Sequence, residues 1–298
     1  MRLVFLGSPP EASGALRALH DAGHEIPLVV TQPDRKRGRG GDLVASPVKK
    51  AALDLGLAVV TPERCKEALD DIAATGAVLG VVVAFGQLIP PSVLAALPSG
   101  YVNVHFSLLP RWRGAAPVER AMLAGDPETG VCLMQLEAGL DTGPVYACRT
   151  IPITPDDTAG DLRRRLADLG TDLLLSEIDS IPGRVPTPQE GEETYAAKLT
   201  VEEFELEWSR PAAELARLVM AGNPKPGAWT TARGARLKLL RGRAEDATAG
   251  AEPGTLVGPG RVATGAGVLV LGEVQPEGKA AMPATAWAAG FRGDRLGA

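Results

Sequence analysis

Three polar side chains occupy positions from which they could act together on a carbonyl group. Asn103 and His105 lie two residues apart in an apolar run, so a strand there would project both from one face. Asp141 lies between two glycines, which permit an unusual backbone path and let one carboxylate point inward. Because no Ser or Cys nucleophile accompanies the three, they favour acyl-type transfer without a covalent enzyme intermediate.

The chemistry expected of this trio is stabilisation of an oxyanion. A carbonyl under attack develops negative charge on its oxygen, to which Asn103 and a protonated His105 could donate hydrogen bonds. Asp141 would orient the imidazole and favour its charged form, because a nearby opposite charge stabilises that form. Two alternatives compete: backbone groups could satisfy the amide and imidazole as a structural pair, and Asp141 could bond its own backbone in an Asx turn.

A loop that follows His105 is a second candidate for ligand contact. Residues 107–117 read SLLPRWRGAAP, and Pro110 prevents the strand from continuing. The chain must turn back beside the histidine, where Arg111, Trp112 and Arg113 could bind an anion or a stacked ring. Packing of the tryptophan alone is the alternative explanation. The other histidines, at 20 and 24, flank a predicted helix end and suit its exposed carbonyls.

The elements that would position these residues alternate between strands and helices. Strands are predicted at 3–6, 26–30, 78–84, 102–106, 131–136 and 145–151, and helices at 11–22, 46–55, 117–124 and 161–178, with a helical turn at 93–97. A polar, Gly- and Arg-rich loop occupies 31–42. This rhythm predicts a Rossmann-like, mostly parallel sheet wrapped by helices, with ligands beyond the carboxyl ends of the strands.

The C-terminal third has a different texture. After a proline-rich, charged stretch come a helix at 212–220 and short strands separated by tight turns, at 229–232, 237–240, 254–257, 261–264 and 268–274. This pattern predicts a small, OB-like β-barrel. The chain should therefore comprise a domain at 1–180, a linker at 181–203 and a smaller domain at 204–298.

Composition and charge exclude several classes of protein. The chain has 298 residues, 45% hydrophobic and 22% charged, which is ordinary globular usage. The longest tight apolar run, 77–85, is far shorter than the roughly 20 residues of a membrane span, and the first apolar stretch is too short for a signal peptide. The cysteines at 65, 132 and 148 form no CxxC pair, so we expect buried thiols in a reducing cytoplasm.

Charge is distributed unevenly along the chain. Residues 1–203 hold 19 Lys and Arg against 27 Asp and Glu, a net charge of −8. Residues 204–298 hold 12 against 9, a net charge of +3. A basic C-terminal third on an acidic protein is compatible with a polyanionic partner, although so small an excess could also be accidental.

The motifs around the trio resemble those of the methionyl-tRNA formyltransferases, within the 10-formyltetrahydrofolate-dependent formyltransferases. The resemblance rests on Asn103-Val104-His105, on the 107–117 run and on residues 139–143, and it extends over nearly the whole chain. It implies the formyltransferase fold and a reaction in which the α-amino group of methionyl-initiator-tRNA attacks the formyl carbon of 10-formyltetrahydrofolate. It implies no metal, a cytoplasmic enzyme of translation initiation and a monomer.

The same resemblance assigns roles to individual residues. Asn103, His105 and Asp141 correspond to the catalytic trio. The folate-binding residues implied are Phe85, Gly86, Gln87, Leu88, Ile89, Ser107, Leu108, Leu109 and Pro110. The tRNA-binding residues implied are Arg35, Lys36, Arg37 and above all Arg39, with the C-terminal barrel along the acceptor arm.

Four other functions remain open from the sequence. The formyl acceptor could be the amine of a sugar nucleotide, or it could be water, as in a folate formyl hydrolase. A nucleotide-binding regulator or dehydrogenase would use the first βαβ unit, but residues 7–10 lack the GxGxxG fingerprint that cradles phosphate. An inactive RNA-binding module would use the barrel alone.

Overall fold

The structure is a computed structural model, which describes residues 1–37, 41–248 and 250–297. Its contacts divide the chain into two units. The first unit comprises Met1–Gly114, Thr129–Ile151 and Arg163–Tyr195. The second unit comprises Ala115–Glu128, Pro152–Leu162 and the described chain from Ala196 onward.

The strands of the described chain, in sequence order, are β1 (Arg2–Gly7), β2 (Glu25–Val30), β3 (Arg35–Arg37), β4 (Asp42–Val44), β5 (Val59–Val60), β6 (Leu79–Val83), β7 (Tyr101–His105), β8 (Arg113–Gly114), β9 (Glu128–Gln135), β10 (Val145–Pro152), β11 (Tyr195–Ala196), β12 (Ala228–Ala232), β13 (Ala235–Glu245), β14 (Leu256–Gly258), β15 (Arg261–Ala263), β16 (Val268–Pro276) and β17 (Met282–Pro283). The helices are α1 (Pro10–Asp21), α2 (Pro47–Asp54), α3 (Leu69–Ala74), α4 (Pro91–Leu94), α5 (Pro117–Ala124), α6 (Ala159–Glu177), α7 (Ala212–Gly222) and α8 (Ala284–Gly290). Short 3-10 helices occupy Cys65–Ala68, Ile178–Ser180 and Glu202–Phe204.

A mostly parallel sheet forms the first unit. Its strand order is β10-β9-β7-β6-β1-β2-β5, in which β5, β2, β1, β6 and β7 run parallel. β9 pairs antiparallel with β7, and this pairing sets His105 opposite Cys132. The predicted mostly parallel sheet is therefore confirmed. Its central strands are buried except at Arg2 and Asn103, as expected of a sheet covered on both faces.

Local sequence explains where several helices begin and how closely β6 packs against Tyr101. Proline stands at the first turn of α1, α2, α4 and α5, where a missing N–H costs nothing. Ser46 caps α2 by accepting the Lys49 N–H at 2.9 Å. Gly80 is required inside β6 because any side chain there would overlap the ring of Tyr101. Within the described ranges, no helix combines the length and apolarity needed to cross a membrane.

An antiparallel sheet forms the body of the second unit. Its order is β12-β13-β16-β15-β14, with β17 on β16. Each strand predicted beyond residue 228 is present, although β13 is longer than predicted and bulged near Arg241. The helix predicted at 212–220 is confirmed as α7, whereas α8 was not predicted from the sequence.

Two expectations about the first unit are corrected. The loop predicted at 31–42 contains an antiparallel hairpin, β3 with β4, which continues to Val44. The turn predicted at 93–97 lies earlier, as α4, because Pro90 and Pro91 set the backbone at its start.

The expectation of three free thiols is wrong. Cys132 and Cys148 form a disulfide, with their Cα atoms 4.1 Å apart, and Cys65 is the buried free thiol. Adjacency of β9 and β10 in the sheet brings the first two cysteines together. No spacing motif reports that pairing, since it depends on the register of two strands joined by a long loop.

Candidate active site

His105 is the last residue of β7, and Asn103 lies two residues before it on the same strand, which is placed between β6 and β9. His105 is 5% exposed, whereas Asn103 is half-buried. Among the residues that the structure describes, the Asn103 carboxamide makes no hydrogen bond. In the described chain, therefore, backbone groups do not satisfy this amide, contrary to the alternative of a structural pair.

The His105 ring faces an oxygen acceptor at each nitrogen. Its Nδ1 lies 3.6 Å from Oδ2 of Asp141, and its Nε2 lies 3.0 Å from the carbonyl oxygen of Trp112. A neutral imidazole carries one N–H, so only the doubly protonated ring can donate towards both acceptors. The arrangement fixes the ring between a loop carbonyl and a buried carboxylate.

Asp141 itself carries the unusual backbone conformation in its loop, with a φ of 50°. Its Oδ2 accepts the Gly114 N–H at 2.8 Å, so the carboxylate is not tied up in an Asx turn. The flanking glycines serve close approach: a side chain at Gly139 would overlap Thr142, and one at Gly143 would overlap the carbonyl of Gln135.

The loop after β7 is tied back to the chain at several points. Ser107 is fully buried, and its Oγ donates to the Arg111 carbonyl at 2.6 Å. Arg113 is buried and is engaged by Gln189 and Glu193, so it is not available as an anion ligand in this arrangement. The Arg111 guanidinium lies over the Trp112 ring at 4.6 Å from the centroid.

The segment after β6, which the resemblance implies for folate, is held by two side chains that sequence analysis did not single out. Ser8 Oγ and Gln32 Nε2 both donate to the Phe85 carbonyl, at 3.1 and 3.0 Å. Gly86 has a φ of 76°, and a side chain there would strike the Gln32 amide. Leu88 is 84% exposed, so the apolar surface expected of a ring pocket is open to solvent.

Three of the four basic residues implied for tRNA contact, Arg35, Lys36 and Arg37, lie in β3, which pairs with β4. Arg35 and Lys36 are exposed. The base of the hairpin is anchored by an ion pair between Asp34 and Lys49, at 2.8 Å. Arg37 ends β3, and Arg39 lies outside the described residues.

Three contributors to the Asp141 region were missed by sequence analysis: Gly114, Gln189 and Thr194. Gln189 donates to the carbonyls of Asp141 and Gly143, and Thr194 Oγ1 accepts the Trp112 N–H at 2.9 Å. The latter two lie in the predicted linker at 181–203, whose composition carries no pattern that could have pointed to them.

Family comparisons define the class of protein. The Formyl transferase family matches residues 1–178, and the family described as Formyl transferase, C-terminal domain, matches residues 198–292. Together these matches cover most of the chain and assign it to the formyl-transferring enzymes.

Individual relatives define the group more narrowly. A methionyl-tRNA formyltransferase from Thiobacillus denitrificans is 49% identical over 309 aligned residues, which cover 100% of both chains. The chain belongs to the methionyl-tRNA formyltransferase family.

Solved structures share the fold. A methionyl-tRNA formyltransferase from Clostridium thermocellum matches with a TM-score of 0.61 at 15% identity, over 83% of this chain and 95% of that one. A variant of HypX from Aquifex aeolicus matches with a TM-score of 0.70 at 18% identity, over 99% of this chain and 49% of that one. The present chain thus spans about half the length of HypX.

Proposed function

We propose that this enzyme transfers the formyl group of 10-formyltetrahydrofolate to the α-amino group of methionyl-initiator-tRNA, for translation initiation in the cytoplasm. The observation that carries the proposal is the site at the end of β7. In this chain, which belongs to the family, His105 lies against Asp141. The Asn103 carboxamide makes no hydrogen bond with any described residue.

In the proposed reaction, the amine nitrogen attacks the formyl carbon and the formyl oxygen becomes negatively charged. Asn103 donates an N–H to that oxygen, and the His105 imidazolium donates its Nε2–H. In the free enzyme this Nε2–H faces the Trp112 carbonyl, so the substrate oxygen would share or replace that acceptor. The bond from the formyl carbon to N10 then breaks, N10 gains a proton and the amine loses one.

Asp141 keeps the imidazole in place and charged in this scheme. Its carboxylate side chain is 14% exposed, and at such a buried position its attraction for His105 is screened little by water. The Gly114 N–H holds the same oxygen from the other side. The carboxylate would therefore act through the histidine, without touching the reacting carbon.

Folate is proposed to bind beside this trio. The segment from Phe85 to Ile89 would present backbone groups to the pterin, and residues 107–110 would border the cofactor. The fixed Phe85 carbonyl, held by Ser8 and Gln32, supports the first assignment because a rigid backbone is what such recognition needs. No metal takes part in the proposed reaction.

The tRNA is proposed to contact the hairpin cations and the C-terminal part of the chain. Arg35 and Lys36 are exposed and would attract phosphates, with Arg37 and Arg39 beside them in sequence. We propose 1–180 as the catalytic domain, 181–203 as a linker and 204–298 as the tRNA-contacting domain of a monomer. In the contacts of the described chain, 181–195 group with the first unit.

The deciding experiment is a formylation assay with 10-formyltetrahydrofolate as donor. The expected result is rapid formylation of methionyl-initiator-tRNA, much slower formylation of methionyl-elongator-tRNA and none of a sugar-nucleotide amine. His105→Ala should abolish turnover while leaving tRNA binding intact, which excludes a mere RNA-binding module. Formate release without an amine, or preferred use of the sugar nucleotide, would overturn the proposal.

A further inference from the structure

One side chain, Gln189, holds the turn that carries Asp141. Its Nε2 donates to the carbonyl oxygen of Asp141 and to that of Gly143, each at 2.8 Å. The left-handed backbone at Asp141 is unfavourable for a residue with a side chain, and it persists only where surrounding contacts fix it. Gln189 supplies two such contacts from a distant part of the chain.

The orientation of Gln189 is itself fixed by Arg113. The glutamine Oε1 accepts from Nε of the arginine at 3.0 Å and from its Nη2 at 2.8 Å. A guanidinium has only donors, so it selects the amide oxygen and turns the NH2 group towards the two carbonyls. The remaining guanidinium nitrogen pairs with Glu193, which keeps the buried arginine neutralised.

The same short stretch of loop also holds the carboxylate. Gly114, which follows Arg113, donates its N–H to Oδ2 of Asp141. Arg113 N–H in turn donates to the Thr194 carbonyl at 2.9 Å. The segment Arg113-Gly114 therefore holds both parts of Asp141: Gly114 bonds its carboxylate directly, and Arg113 orients the Gln189 amide that bonds its backbone carbonyl. Contacts from Gln189 and Thr194 in turn hold Arg113 in place.

We propose that Gln189 is a positioning residue for the transfer reaction, acting through Asp141. By fixing the peptide groups on both sides of the turn, it sets where the carboxylate meets the His105 ring. It touches neither substrate. This inference rests on the proposed function, since it requires that the charge of Asp141 serve the reaction at His105.

The sharpest variant is Gln189→Glu, which keeps the volume and the two contacts with Arg113. It replaces the donating NH2 by an oxygen that faces two carbonyl oxygens, so the turn loses both hydrogen bonds. Gln189→Met has similar length and removes all of these bonds without adding charge. Because a misplacement of about 1 Å can cost about 10²-fold in rate, we expect kcat to fall by about 10- to 100-fold in each.

A positioning role predicts a particular split of the kinetic constants. KM for 10-formyltetrahydrofolate and for methionyl-tRNA should stay within about twofold of wild type, because a loss confined to kcat marks interactions made in the transition state. The matched control is Arg184→Ala, which removes a different anchor of the same segment: its guanidinium binds the Tyr146 carbonyl and Glu177. That variant should keep its kcat.

A double-mutant cycle tests whether the glutamine acts through the carboxylate. Once Asp141→Asn has removed the charge, adding Gln189→Met should cost less than about twofold more in kcat. Residues that act as one unit are not additive, whereas independent defects multiply. Thermal unfolding of each variant, measured in parallel, separates a loss of folded protein from a loss of rate per folded molecule.

The outcomes distinguish this inference from the proposed function. A wild-type enzyme that fails to formylate methionyl-tRNA overturns the proposed function, and the positioning role with it. An active wild type whose folded Gln189→Glu and Gln189→Met variants keep their kcat overturns the positioning role alone. A kcat loss in Arg184→Ala equal to that in the Gln189 variants also overturns it, and so do multiplicative losses in the double-mutant cycle. Either result would indicate that any anchor of this segment supports the activity, and that Gln189 does not act through Asp141.

Discussion

The Nδ1 atom of His105 lies 3.6 Å from Oδ2 of Asp141, and the ring's other nitrogen lies 3.0 Å from the Trp112 carbonyl. A histidine at the end of a central strand is thus aligned by two groups from separate loops. Of the two groups that flank the ring, the carboxylate carries a full charge and the Trp112 carbonyl does not, so the charge of Asp141 is the property to test first.

Asp141→Asn keeps the shape of the side chain and removes its charge. We expect kcat for formylation to fall by at least about 10²-fold, because the imidazolium loses the anion that stabilises it in a buried site. Steady-state kinetics at neutral pH measures the effect, and Leu140→Ala, an exposed neighbour on the same loop, is the control. An Asn variant with wild-type kcat would remove Asp141 from the mechanism.

Asn103→Ala removes the proposed amide donor. Loss of one oxyanion donor typically costs about 10²–10³ in kcat, and we expect a loss of that size with little change in KM for methionyl-tRNA. Because no described residue bonds this carboxamide, the variant should unfold at nearly the wild-type temperature. A large drop in Tm with kcat preserved would instead assign Asn103 a structural role.

The alternation of a strand is enough to predict that Asn103 and His105 share a face, and the βαβ rhythm predicts the sheet edge where they lie. Both inferences depend on local patterns of burial, which the sequence records directly. The inward turn of Asp141 was predictable only as a possibility, since its carboxylate meets Gly114 through long-range folding.

Contacts that depend on the register of distant segments were not predictable. Gln189 lies in a stretch with linker composition, and nothing in its neighbours indicates that it reaches the Asp141 turn. The disulfide is similar, since Cys132 and Cys148 meet through the pairing of β9 and β10. In both cases the sequence shows the residue types without showing the geometry that joins them.

The disulfide can be tested by counting thiols. Burial raises the pKa of the Cys65 thiol to about 11, so native protein prepared without reductant should react negligibly with an alkylating agent. Unfolding should expose one thiol, and unfolding with reductant should expose three. Closing a loop with a sequence separation of 16 stabilises a fold by about 3 kcal/mol, so reduction should lower the unfolding free energy by that amount. Three thiols without reductant would contradict the bond.

The start of α6 gives a prediction about pH and stability. Thr158 and Asp161 form reciprocal cap contacts, with the Thr158 Oγ1 donating to the carboxylate at 2.7 Å. These bonds, and the Arg241 guanidinium at 3.1 Å, hold the pKa of Asp161 at about 2, below its ordinary value of 3.8. Because the folded pKa is the lower one, the ionised carboxylate stabilises the fold above about pH 4, and this contribution is lost as the pH falls through about 2.

Asp161→Asn should therefore lower the free energy of unfolding by about 1 kcal/mol at pH 7. The difference between wild type and variant should shrink as the pH falls from about 4 to about 2. Urea unfolding at a series of pH values measures it, with Asp168→Asn, an exposed position on the same helix, as the control. A difference that does not change with pH would show that the charge of Asp161 contributes nothing.

The cations of the β3–β4 hairpin give a prediction about tRNA. Arg35 and Lys36 are exposed, and neutralising a phosphate releases counterions, so the affinity should fall steeply with salt. Each phosphate contact contributes about 0.7 to 0.9 to the slope of log K against log salt concentration. Replacing both residues by alanine should therefore reduce the slope by about 1.4 to 1.8 and weaken productive use of tRNA, and Arg39→Ala should act in the same direction.

Folate binding should not change in these hairpin variants, because the Phe85 segment is anchored by Ser8 and Gln32 rather than by the hairpin cations. Titration with tetrahydrofolate checks this, and Lys66→Ala, which removes an exposed cation elsewhere in the first unit, is the control for net charge. An unchanged salt slope after loss of Arg35 and Lys36 would place the phosphate contacts elsewhere on the chain. A parallel loss of folate affinity would mean that the hairpin and the folate segment cannot be treated as separate binding elements.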